Sequence, residues 1–133
     1  MNRQTTLESP MAHYKRRLAA KEFVIQRCSD CSRAGVDPRV LCPHCASSAL
    51  RWETPSGRGT IYSRTVVQRS ADKGGPYGVV LVDLEEGVRM MSTVIDRDPG
   101  DVAIGDEVQL DITSLEGILA PVFRSAPRQE RVK

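Results

Sequence analysis

Cys28-Ser29-Asp30-Cys31 and Cys42-Pro43-His44-Cys45 are two cysteine pairs, each with two residues between its members, joined by a ten-residue connection. A two-residue gap lets both sulfurs of a pair turn toward one point. Ten residues suffice to bring the second pair opposite the first, so the spacing predicts a tetrahedral four-sulfur metal site. Borderline-soft zinc suits four thiolates, and the same cage can hold iron. Because Cys28, Cys31, Cys42 and Cys45 would fill every coordination position, the ion is expected to staple the fold and not to activate a water. The roughly 30 residues around it are too few to bury a self-sufficient core, and metal binding supplies the missing stability. His44, inside the second pair, reads as a solvent-facing residue of the knuckle.

Working outward, Ser9-Pro10 is a helix start, with serine able to cap free amides and proline favoured at the first helical position. Met11, Tyr14 and Leu18 then share one face, and Phe23-Val24-Ile25-Gln26-Arg27 is a β-prone run leading into Cys28. From Gly57 onward the pattern becomes short β-runs punctuated by turn residues, the signature of a small barrel or sandwich. Strands are expected near Gly59–Gln68, Tyr77–Leu84, Val88–Ile95, Val108–Leu115 and Ala120–Phe123, with a tight hairpin at Glu86-Gly87. The expected organisation is a helical segment over 1–22, a metal-bound ribbon over 23–56, a β-barrel over 57–124 and a flexible basic tail over 125–133.

Charge is polarised along the chain. The formal net charge of +2 conceals +5 over residues 1–60, −6 over 61–123 and +3 over 124–133. No apolar run approaches the roughly 20 residues needed to span a bilayer, and the start leads into no secretory h-region, so a soluble protein of the reducing cytoplasm is expected. The cysteines are spent on the metal, and His13 and His44 both read as surface residues. Asp83, Glu85 and Glu86 read as acidic turn residues. No catalytic set is legible. Single-stranded nucleic-acid binding is the rival reading for a metal ribbon followed by a barrel. The barrel segment, however, is acidic and its only aromatics are Tyr62, Tyr77 and Phe123, a poor surface for phosphates.

Several stretches, in this order, resemble the DUF35 family. They are Phe23 to Cys31, Asp37-Pro38-Arg39, Cys42 to Cys45, Trp52-Glu53, Ser56 to Ser63, Pro76 to Arg89, Ile104 to Val108 and Gly117 to Phe123. Asp37 stands where the family often has proline, and Ala20-Lys21 replaces a common glycine. The resemblance implies a mainly β fold: an N-terminal α-helix, a rubredoxin-like zinc ribbon and a five-stranded OB-fold barrel. It also implies structural Zn2+ and a role as a non-catalytic accessory subunit of an acyl-CoA-processing enzyme. Thiolase-like partners are the first expectation, with acyl-CoA bound within the complex. A CoA ester needs cationic contacts, and Arg33, Arg39 and Arg58 in the basic ribbon half are the expected CoA or partner contacts. Arg39 leads, because the preceding Pro38 stiffens the backbone that presents it.

Overall fold

The computed structural model describes residues 8–115 and 117–126. Helix α1 (Pro10–Ala19) begins as its sequence dictates, with the Ser9 hydroxyl accepting a hydrogen bond from the Ala12 amide at 3.1 Å. It ends in a Schellman turn: the Glu22 amide donates to the Arg17 carbonyl (2.9 Å) and the Lys21 amide to the Leu18 carbonyl (2.8 Å). Lys21 takes the left-handed conformation that this turn requires, at φ 64°. Tyr14 and Leu18 pack on the core, whereas Met11, expected on the same face, is 45% exposed because the core reaches only the later turns of the helix.

Strands β1 (Ile25–Cys28), β2 (Ala34–Gly35) and β3 (Leu50–Glu53) form an antiparallel sheet in the order β2-β1-β3. The second sheet comprises β4 (Arg58–Val67), β5 (Tyr77–Leu84), β6 (Arg89–Ser92), β7 (Glu107–Leu115) and β8 (Ile118–Ser125), ordered β6-β5-β4-β7-β8. All five expected runs are strands, but the third is cut short. The segment expected over Val88–Ile95 pairs with β5 only through Ser92. It then leaves that neighbour for another: the Phe123 amide donates to the Thr93 carbonyl and the Ile95 amide to the Phe123 carbonyl, both at 2.9 Å. This parallel bridge joins the two edges of the sheet and makes the curled sheet an OB-fold barrel. The hairpin between β5 and β6 has a three-residue loop, Glu85–Gly87, with Gly87 at φ 90°.

Alternation places Val108 in the core and lets Leu110 and Ile112 pack against it from partly buried positions. Phe23 and Ile25, from the ribbon side, belong to the same buried cluster as Ile61, Val80, Val82 and Phe123. Ribbon and barrel therefore share one apolar core. The tail expected over 125–133 starts with Ser125 ending β8 and the Ala126 amide bound to the Glu107 carbonyl at 3.0 Å; residues 127–133 lie outside the described residues, as do 1–7 of the expected helical segment. Among the described residues, no helix is long and apolar enough to cross a membrane.

Candidate metal centre and adjoining cleft

The two cysteine pairs fold alike. In the first, the Ser32 amide donates to the Cys28 carbonyl and the Cys28 amide to the Arg33 carbonyl, both at 2.9 Å. In the second, the Ala46 amide donates to the Cys42 carbonyl and the Cys42 amide to the Ser47 carbonyl, both at 2.8 Å. Ser32 and Ala46 reverse the chain at φ 69° and 65°. Each knuckle also turns an amide onto its first sulfur, Cys31 onto Cys28 Sγ at 3.5 Å and His44 onto Cys42 Sγ at 3.4 Å.

All four sulfurs lie within 4.8 Å of one another, and the Cys28–Cys45 and Cys31–Cys42 pairs are each 3.6 Å apart. A zinc ion with four sulfurs at about 2.3 Å has tetrahedral edges of about 3.8 Å. The donor set therefore fits zinc in number, chemistry and size, and Cys28, Cys31, Cys42 and Cys45 are positioned to hold one ion. Zinc bound here supplies structural stability by tying the end of β1 to the second knuckle. The thiols are not equivalent: the Cys31 amide leads a set of hydrogen bonds that lower the Cys28 thiol to about 6. Cys45 moves the other way. The Ser47 amide pulls it down, but burial and the three neighbouring sulfurs outweigh that and push it up to about 12.

Beside the metal centre is a cleft of about 340 Å³ between the ribbon and the β5–β6 hairpin. Arg33, Arg39 and Arg89 give it cationic walls, His44 adds a polar ring, and Val36, Leu50 and Val88 give it apolar ones. Gln26, a buried polar residue of β1, anchors Arg39: its amide group donates to the Arg39 carbonyl at 3.0 Å and accepts from the Arg39 amide at 2.8 Å. Arg33 lies 3.0 Å from the exposed His44 ring. Among the described residues, Arg39 has one distant acidic neighbour, Asp37 at 4.0 Å. Arg89 binds Asp83 through two hydrogen bonds, at 2.6 and 3.1 Å, and lies over the Tyr62 ring.

Two of the three arginines singled out from sequence thus share this cleft. Arg58 lines a different one, with Glu85 at 2.8 Å from its Nε. The hydrogen bond from Arg89 is the first reason the Asp83 carboxyl lies below its ordinary range, and Arg58, then Ser56, do the same for Glu85. These carboxylates are held in their charged form as ion-pair partners. Sequence reasoning missed Arg89 as a cleft residue, since nothing local ties position 89 to the knuckles. It also took His13 for a surface residue, whereas the imidazole stacks on Trp52 with ring centroids 4.4 Å apart, fastening α1 to β3.

Comparison with known proteins finds two family models on the chain. One is described as ChsH2, rubredoxin-like zinc ribbon domain, over residues 17–51, and the other as ChsH2, C-terminal OB-fold domain, over 52–113. A DUF35 domain-containing scaffold protein of Methanothermobacter thermautotrophicus is 32% identical over 111 residues, covering 77% of this chain and 84% of that protein. A probable enoyl-CoA hydratase alpha subunit of Thermomonospora curvata is 38% identical over 119 residues, 84% of this chain; the match spans only 37% of that subunit. The solved structure of an Ltp2-ChsH2(DUF35) aldolase superposes with a TM-score of 0.76 at 31% identity, covering 96% of this chain and 98% of that one.

Proposed function

Because this chain belongs to the DUF35 family of zinc-ribbon and OB-fold proteins, we propose that it is a non-catalytic accessory subunit of an acyl-CoA-processing enzyme, thiolase-like in kind, in the cytoplasm. The observation that carries this reading is the 38% identity to a CoA hydratase alpha subunit across 84% of the chain. The likeness to the aldolase structure at nearly full length supports the same placement beside a carbon–carbon bond enzyme. The chain's own chemistry agrees. Its metal is enclosed by four sulfurs, and the carboxylates Asp83 and Glu85 are committed to arginines. The partner performs the bond-making step, while this chain completes the assembly and helps hold the CoA ester.

Docking uses the helix and ribbon. Val40 and Leu41, 70% and 50% exposed beside Arg39, supply apolar area there. Arg33, Arg39 and Arg58 serve as the CoA or partner contacts. Tagged purification from the native cell, with identification of what co-elutes, tests the assignment: a CoA-dependent enzyme should be recovered. In that complex, Arg39→Ala should lower activity on the CoA substrate with zinc content unchanged. Recovery of the chain alone, or with ribosomes or DNA, would overturn the proposal.

A further inference from the structure

Gln26 and Gly35 are direct cross-strand partners on β1 and β2, so their side-chain directions fall on the same face of the sheet. Gln26 points into the cleft, where it holds Arg39; Gly35 lines the same cleft, and a Cβ added to it would meet nothing within 4 Å. The floor is therefore left open at a place where any larger residue would fill it. Around this opening stand three guanidiniums, from two elements far apart in sequence. One of them, Arg89, is already braced by Asp83 and Tyr62. Arg33 and Arg39 have between them only the Asp37 carboxylate at 4.0 Å among the described residues.

Positive charge that is weakly neutralised at Arg33 and Arg39 and set beside apolar walls suits a ligand with a phosphorylated end and a flat, weakly polar body. We infer that this cleft takes the phosphorylated adenosine end of a CoA ester: Arg33, Arg39 and Arg89 receive phosphate oxygens, and Val36, Leu50 and Val88 flank the base. The inference deepens, and rests on, the accessory-subunit reading. It adds Arg89 and the Gly35 opening to the contacts and gives Arg58, which lines another cleft, no part in holding the nucleotide. A volume of about 340 Å³ accommodates a nucleotide and not a polynucleotide track. The Asp37 carboxylate in its lining opposes an extended phosphate chain.

The test is calorimetric titration of the full, zinc-loaded chain with CoA, 3′,5′-ADP, adenosine and inorganic phosphate. CoA and 3′,5′-ADP should bind, adenosine and phosphate far more weakly. Arg33→Ala and Arg39→Ala should each weaken CoA about tenfold or more, whereas Arg64→Ala, which removes an exposed charge on the barrel, should leave binding unchanged. Gly35→Phe should abolish binding while zinc content and the melting transition persist. The two arginine variants, altered at exposed positions, carry the test if that one folds poorly. No binding at millimolar CoA, equal binding by all variants, or phosphate competing as well as CoA would overturn the assignment. A chain that co-purifies with a CoA enzyme yet binds no nucleotide refutes the cleft and spares the subunit reading. One that binds CoA through these arginines but recovers no such enzyme does the reverse.

Discussion

The Arg27 guanidinium holds the Glu53 carboxylate with two hydrogen bonds, 2.8 and 3.1 Å long, across the β1–β3 ladder of the ribbon. Its remaining donors reach the Ser32 carbonyl in the first knuckle at 2.7 Å and the Glu86 carbonyl in the barrel hairpin at 3.2 Å. One side chain thus ties the ribbon sheet, the metal knuckle and the barrel. Both partners are about one-quarter exposed, at 21% and 26%, which moderates the strength of the pair. Glu53→Gln should cost about 1–2 kcal/mol in urea unfolding, and Arg27→Ala more, since it also frees two carbonyls. Strict additivity in the double variant would refute the coupling.

The same pair sets a pH dependence. The hydrogen bond from Arg27 is the leading cause that holds the Glu53 carboxyl below its ordinary value of 4.5. A group whose folded value is depressed stabilises fully above the unfolded value and loses that contribution as pH falls through the folded one. The stability difference between the parent and Glu53→Gln should therefore be flat from about pH 7 to 5 and shrink below about pH 4. Acid release of the metal affects both proteins and largely cancels in the difference. A gap that widens on acidification would contradict the assignment.

Metal removal should unfold more than the ribbon. Cys28 closes β1, and Phe23 and Ile25 just before it are buried in the core that the barrel shares. The purified chain should carry about one zinc, and a strong chelator or Cys31→Ser should lower the melting temperature of the whole molecule. A metal-free chain melting cooperatively at the parent temperature would refute the staple.

Gly59 on β4 leaves no room for a side chain against β5: a Cβ there would meet Val82 Cγ1 at 2.5 Å and the Asp83 carbonyl oxygen at 3.0 Å. Gly59→Ala should destabilise by about 1–3 kcal/mol, and adding Val82→Ala should recover part of that loss relative to Val82→Ala alone. Equal losses in both backgrounds would mean that the methyl contact is not the cause.

Lys21 holds a left-handed conformation in the Schellman turn, at φ 64°, that costs an L-residue and not glycine. Lys21→Gly should raise stability by up to about 1 kcal/mol in denaturant melts, despite glycine's greater freedom when unfolded. Destabilisation would show that the lysine side chain contributes more than its backbone strain costs.

Trp52 is the single tryptophan of the chain, so its fluorescence reports on the His13 stack. His13→Ala should shift its emission to the red as α1 loosens from β3, at a cost of about 0.5–1.5 kcal/mol. An unchanged spectrum would mean that the ring contact does not fasten the helix.

What the amino-acid sequence determined by itself was local. The spacing Cys28-x2-Cys31 and Cys42-x2-Cys45 prescribes the metal centre, because two short knuckles geometrically converge their sulfurs. Ser9-Pro10 prescribes the helix start, and alternation at Val108, Leu110 and Ile112 prescribes a strand with one buried face, because each signal acts within a few residues of its effect. The tertiary structure decided what depends on residues meeting across long separations. The backbone of Thr93 to Ile95 leaves the β5 ladder for β8, where the Phe123 amide and carbonyl are its new partners, while the Thr93 hydroxyl still reaches the Gly78 carbonyl of β5. Arg89 reaches the cleft of Arg33 and Arg39, and Arg58 does not, because the shared core fixes the hairpin against the ribbon. His13 finds Trp52 for the same reason. Packing of Phe23 and Ile25 into the barrel sets these neighbours, and no period or spacing within one segment encodes a contact made by another.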